Sequence, residues 1–333
     1  MKLLLSTLGE SPAVVTEAID KLRASGIEIT HISLLGTKDE DVEKAMELLY
    51  KHIPTYYQGR INFYNMDVTS TYHDIDTVEA TVEFLKKACT ALGSCLKSGG
   101  EVHVCIAGGR KTMSALLTLA VQFYGATSLF HIIVDPEIEK KEKDHIKDLY
   151  NMSEEELKPY LHPPPDKIKL VKLPFIGLFP LLDRIISTLK GEKDPEIASL
   201  LEQNKLLQNS GPTELGNVVL GILEKVKSAP EARSGDCEIH IKEKEPKERR
   251  SFEKYVRPLA SLFFVKRIES IGWSPGKPKV EKDPPSCLKV YLPGEKVQNI
   301  GLRLITTAKT DGQLEFAKES TEELLKKLKL LKV

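Results

Sequence analysis

"EVHVCIAGGRKTMSALLTLAVQFYGATSLFHIIVD", residues 101–135, decides the fold. It opens on a short apolar-rich run that stops at Gly108-Gly109. Apolar residues then recur at helical spacing (Met113, Leu116, Leu117, Ala120, Val121) until Gly125, and a second apolar run, Leu129–Val134, follows. Strand, glycine loop, helix, strand is a βαβ unit, and its two strands must run parallel. Outward from it the alternation repeats. "KLLLSTL" (2–8) reads as a buried strand, and "PAVVTEAIDKLRASG" (12–26) as a helix with Pro12 at its start and Gly26 just past its end. "ITHISLLGT" and "INFYNMDV" are further strands. "KDEDVEKAMELLYKHI" and "DIDTVEATVEFLKKACTALGSCLKSG" are the helices that follow them. This predicts an α/β, Rossmann-like, mostly parallel sheet with helices on both faces. Right-handed crossovers then collect every strand-to-helix loop along one edge.

Past Val134 the texture changes. A charged stretch ending in Pro163–Pro165 reads as a surface helical excursion and stiff connector, and "KIKLVKLPFIGLF" (167–179) as one more strand or extended segment. We place a boundary at residues 180/181. The second part, 181–333, reads as a smaller C-terminal α+β winged-helix-like domain, expected to serve dimerisation. Three helical stretches lead it, and Asp311-Gly312 between alternating runs reads as a hairpin turn.

Composition narrows the function classes. The 333 residues carry 48 basic and 48 acidic side chains, so no long nucleic acid is expected as partner. No apolar run approaches the roughly 20 residues that cross a bilayer, and the N-terminus lacks the regions of a signal peptide. No membrane association is expected, and the chain reads as cytoplasmic. The five cysteines form no CxxC and no metal-ligand spacing, so free buried thiols, no metal and no cofactor are expected.

Two loops of the ligand-binding edge are equipped for an anion. In "TLGESP" Gly9 permits close backbone approach, Ser11 can cap the next helix, and Thr7 adds a hydroxyl. In "AGGRKTMS" (107–114) Gly108 and Gly109 leave amides open, Arg110 and Lys111 add charge, and Thr112 and Ser114 add hydroxyls. Each loop alone is equally well read as a capped structural turn. A P-loop and a GxGxxG fingerprint are both missing, which argues against a dinucleotide dehydrogenase.

Taken together, "STLGESPAVVTEA" and strand–"GGRKTMS"–helix resemble the CARF family, the Rossmann-like sensor domains of type III CRISPR systems, over residues 1–180. "KIKLVKLPFIGL" makes the chain similar to the archaeal stand-alone ring nucleases within that family. The resemblance implies a homodimer that binds cyclic tetra-adenylate across its two-fold axis. It implies metal-independent attack of a ribose 2′-OH on the adjacent phosphorus, giving linear di-adenylate with a 2′,3′-cyclic phosphate. It further implies ligand contacts from Thr7, Gly9, Glu10, Gly108, Gly109, Arg110, Lys111 and Thr112. Ser11 would orient the 2′-hydroxyl or the scissile phosphate. Lys172, or Lys169 expected on the same strand face, would neutralise the transition state. His73 and His131 are the general-base candidates, by proximity to strand ends.

Rival readings use the C-terminal part. Arg233 and His240 have the spacing of an RxxxxxxH ribonuclease motif, and Glu245–Lys247 is a local fit to a nuclease ExK. Residues 196–227 read as a helix-turn-helix, which would make a ligand-regulated transcription factor or a sensor without cleavage. Its second helix carries no arginine to reach bases or phosphates.

Overall fold

The structure is a computed structural model, and it describes residues 1–64, 72–135, 146–241, 255–273, 278–292, 300–328 and 330–331. Its first sheet is built from β1 (Lys2–Thr7), β2 (His31–Leu35), β3 (Asn62–Phe63), β4 (Glu101–Cys105), β5 (Ser128–Val134) and β6 (Ile168–Lys172) in the order β3-β2-β1-β4-β5-β6. The first five strands are parallel and β6 closes one edge antiparallel to β5. This is the doubly wound order, with its switch point between β1 and β4.

Side-chain alternation along β1 assigns the two faces. Leu3 and Leu5 join one core with α3 (Val78–Lys97) and α4 (Lys111–Tyr124). Leu4 joins the other with α1 (Ala13–Ala24) and α2 (Glu40–Tyr56). The excursion between β5 and β6 contains α5 (Ile146–Leu149) and α6 (Glu154–Leu161), whose apolar residues complete that second core.

After β6 come α7 (Leu182–Leu189), α8 (Pro195–Gln203) and α9 (Glu214–Lys227). A two-stranded hairpin, β7 (Leu207–Gln208) with β8 (Gly211–Pro212), separates α8 from α9. Its turn residues Asn209 and Ser210 have φ of 50° and 61°, as a primed hairpin turn requires. The second sheet has five strands: β9 (Glu238–His240), β10 (Val265–Ile271), β11 (Lys279–Asp283), β12 (Cys287–Leu292) and β13 (Ile300–Thr306). The final helix, α10, spans Asp311–Lys327.

Here one expectation is corrected. Asp311-Gly312 is not a hairpin turn but the first turn of α10. Thr310 caps it, its hydroxyl accepting from the Gln313 amide at 3.3 Å. Among the described residues the C-terminal part has hairpins at 207–212, between two helices, and at 279–292, where β11 turns back into β12. The first of these also makes the 196–227 stretch unlike a helix-turn-helix, whose helices are joined by a short turn.

The C-terminal part packs against α3. A Cβ on Gly93 would sit 2.6 Å from Val226 Cγ1, so α3 and α9 cross so closely that a side chain at 93 would have to displace Val226. Lys97 Nζ donates to the Val226 and Ala229 carbonyls at 2.9 and 3.1 Å. Arg233 lies at this junction too. It is 6% exposed, and its guanidinium donates to the Gly235, Leu262 and Val265 carbonyls. Its own carbonyl accepts from the Tyr64 hydroxyl at 2.5 Å. His240 is exposed on β9. Arg233 is therefore a structural tie rather than half of a nuclease motif. Glu245–Lys247 lies outside the described residues.

Candidate functional site

The first loop turns sharply because its backbone has nowhere else to go. Thr7 ends β1 fully buried, and its hydroxyl donates to the Gly108 carbonyl at 2.6 Å, across the switch point. Leu8 donates its amide to the Leu35 carbonyl at 2.8 Å. The chain then passes directly under the second loop. A Cβ on Gly9 would lie 2.8 Å from Gly109 Cα, and one on Gly108 would lie 2.3 Å from the Thr7 carbonyl oxygen. Gly109 takes φ +74°, a conformation that disfavours side chains. The glycines of both loops are thus required by backbone-to-backbone contact.

Beyond this contact the two loops part and bound a cavity of about 280 Å³. Leu8, Gly9, Glu10, Ser11 and Val14 come from the β1 loop and the start of α1, and Thr37, Asp39 and Val42 from the β2 loop and α2. His73 precedes α3, and Ala107, Gly108, Gly109, Arg110 and Met113 belong to the β4 loop and α4. All lie at the carboxyl ends of their strands, where doubly wound sheets bind ligands.

Two helices begin here without a capping side chain. The N-cap of α1 is Pro12, so Ser11 does not cap it as expected, and its exposed hydroxyl lines the cavity. The N-cap of α4 is Arg110, whose amide donates to Met113 Sδ at 3.4 Å. First-turn amides of both helices favour an anion by hydrogen bonding and by the helix dipole. Ser114 is not among the lining residues; its hydroxyl donates to the Ile106 carbonyl at 2.8 Å and fixes the end of β4. Cys105, one residue further back, has its thiol pushed up to about 12 by burial, so it is no thiolate at neutral pH.

The structure separates the expected residues. Gly9, Glu10, Ser11, Gly108, Gly109 and Arg110 line one cavity. Thr7 is buried beneath it and acts by tying the loops together. Lys111 and Thr112 are exposed on the first turn of α4, outside the lining. His73 lines the cavity; His131, on β5, does not.

Neither lysine of β6 lines the cavity. Three residues apart on a strand, they point to opposite faces, not to the same one. Lys172 pairs with Phe130, level with Cys105, and its charge is felt by His103. Lys169 pairs with Ile133, three residues nearer the loop-bearing edge. Thr37, Asp39 and Asp74 escaped the sequence reading. The same rule of loops at strand ends would have found Thr37 and Asp39 after β2.

A doubly wound sheet with a cavity at its switch point defines a Rossmann-like fold. The family is narrower: residues 11–206, more than half of the chain, match the family model of CRISPR-associated protein NE0113, and the chain belongs to that family. Among solved structures it is similar to Enterococcus italicus Csm6 bound to cyclic hexa-2'-fluoro-hexa-dAMP, at 12% identity and a TM-score of 0.34. That match covers 78% of this chain and 56% of the other, so the chain spans little more than half of that relative's length. It is also similar to protein VC1899 from Vibrio cholerae, at 10% identity and a TM-score of 0.30, covering 92% of this chain and 77% of that one. No curated protein matches it in sequence. No helix among the described residues is long and apolar enough to cross a membrane.

Proposed function

We propose that this CRISPR-associated chain is a CARF-type ring nuclease, binding cyclic tetra-adenylate between two copies of itself and opening it. The observation that carries the reading is the Gly9–Gly109 contact. It places Ser11, Arg110 and two helix N-termini around one cavity, in a chain whose family is CRISPR-associated. A cavity of about 280 Å³ is small for a ring of four nucleotides. A two-fold pair doubles the loop set and gives a symmetric ring a symmetric seat.

In this reading each of the two copies holds one ribose so that its 2′-oxygen lies in line with the leaving 5′-oxygen, and the two cuts turn the ring into two di-adenylates. The 2′-oxygen attacks phosphorus, the 5′-oxygen leaves with a proton, and a 2′,3′-cyclic phosphate remains. Ser11 positions the 2′-hydroxyl or the phosphate, and helix amides and Arg110 take up the growing charge. Of the two lysines, strand register favours Lys169, at the loop-bearing edge, acting on the ligand held across the two-fold. Cleavage would end an antiviral signal.

The test is labelled cyclic tetra-adenylate incubated with the protein in EDTA. Linear di-adenylate ending in cyclic phosphate is expected, with a loss on the order of 10²–10³ in rate for Ser11→Ala and for Lys169→Ala. Binding without product would move the reading to a sensor. One observation favours that second reading: the core under β1 and β4 continues through α3 and α9 into the second sheet, a contiguous path for a ligand signal.

A further inference from the structure

For a site read as taking phosphates, the cavity has an unusual charge balance. Among the described residues lining it, Arg110 is the one guanidinium, set against the carboxylates Glu10 and Asp39. Asp39 is committed elsewhere: its Oδ1 accepts from the Asp41 and Val42 amides at 2.9 and 3.4 Å. Arg110 is engaged as well. Its Nε donates to Asp74 Oδ1 at 3.2 Å, and its Nη2 lies 3.0 Å from Asp74 Oδ2.

Asp74 is held firmly in that place. Its Oδ1 also accepts from the Ile75 amide at 2.8 Å, and Ile75 is buried in the core. Two residues earlier, the Tyr72 carbonyl accepts from the Lys38 amide at 2.9 Å, which pins this segment to the β2 loop. His73, between these anchors, faces the cavity. The Asp74 carboxylate thus presents to Arg110 the paired oxygens that a phosphate would present.

We propose that Asp74 is a built-in competitor for the anion. A ligand phosphate takes Arg110 from Asp74, and this exchange sets the affinity of the site. Both partners are well exposed, with side chains 64% and 38% accessible, so the internal pair is weak and a multiply charged ligand displaces it. A singly charged anion gains too little from the exchange, so the device selects for phosphate-rich ligands. The inference rests on the reading of Arg110 as a phosphate ligand.

The test measures binding of cyclic tetra-adenylate and of inorganic tripolyphosphate to the full chain, to Asp74→Asn, to Arg110→Ala and to the double variant, at low and high salt. Asp74→Asn is expected to tighten both ligands by about two- to five-fold. The gain should shrink with salt and vanish in the Arg110→Ala background. Weaker binding of Asp74→Asn would make Asp74 a positioning residue and overturn the proposal, as would a gain that persists without Arg110. An unchanged Asp74→Asn beside a weakened Arg110→Ala would remove the competitor and leave the site reading intact. If tripolyphosphate follows the expected pattern while cyclic tetra-adenylate does not bind, the exchange stands and the ligand assignment falls. If Arg110→Ala changes neither ligand, both fall.

Discussion

Gly9 shapes this site more than any ionisable group beside it. Its missing side chain lets the β1 loop touch the backbone of Gly109, and that contact fixes where Ser11 and Arg110 stand relative to each other. A methyl group at residue 9 meets backbone atoms, which cannot rotate away. Gly9→Ala is therefore expected to cost about 1–3 kcal/mol of stability, like other overpacked positions. It should also weaken ligand binding on the order of ten-fold or more through misplaced groups. Calorimetric melting and a binding titration check the two parts separately. A second residue-scale prediction concerns His31, a buried ring tilted 36° to that of Tyr64 with centroids 4.5 Å apart. Burial, and then the nearby Arg233 charge, lower its pKa from 6.5 to about 4. The unfolded chain therefore binds the proton more readily than the native chain does. Stability present above about pH 6.5 is lost as pH falls toward 4, by up to about 3 kcal/mol. Urea unfolding at several pH values should show this slope, and His31→Gln should flatten it.

At the scale of elements, the excursion between β5 and β6 is fastened to α1 and α2 by a polar chain that runs inward from the exposed Glu154. His52 Nδ1 meets Glu154 Oε2 at 2.5 Å, the two imidazoles meet through their Nε2 atoms at 2.8 Å, and His162 Nδ1 meets Asp20 Oδ2 at 2.7 Å. The Tyr57 hydroxyl donates to the other Asp20 oxygen at 2.7 Å, and Tyr56 stacks on His162. His162→Ala strips partners from both Asp20 and His52 and should destabilise by about 2–3 kcal/mol. Faster hydrogen exchange confined to residues 146–167 would show that the fastening, rather than the whole fold, had loosened. None of this chain was visible in the sequence, because its members lie on three separate elements. Elements with a strong period were legible: α1 through α4 begin and end within a few residues of their sequence signals. The error at 311–312 is instructive. Asp-Gly by itself signals a turn, yet Thr310 and Gln313 flank it at capping-box spacing, and the Gln313 side chain accepts from the Lys309 amide at 2.7 Å. The site divided in the same way. Its two glycine loops announced themselves, whereas Thr37 and Asp39 looked like an ordinary helix start, and Asp74 gains meaning only through Arg110.

For the whole molecule, the loop-bearing edge of the first sheet and the C-terminal sheet are joined by packing. Their connection runs through the α3–α9 crossing, where Gly93 lies against Val226. Gly93→Val should force that crossing apart and expose the Arg233 tie. The melting transition would then broaden or split, while a ligand site built from the first sheet alone keeps its affinity. On the outer edge of the first sheet, β6 leaves Val171 exposed on the same face as the exposed Ile133. The central claim is that the paired glycine loops of two chains seat one cyclic tetra-adenylate ring. Isothermal titration of the full chain with this ring, beside Gly9→Val, tests it most directly. The account predicts one ring per two chains for the wild type and no binding by the variant. One ring per chain, or equal binding by both proteins, would contradict it.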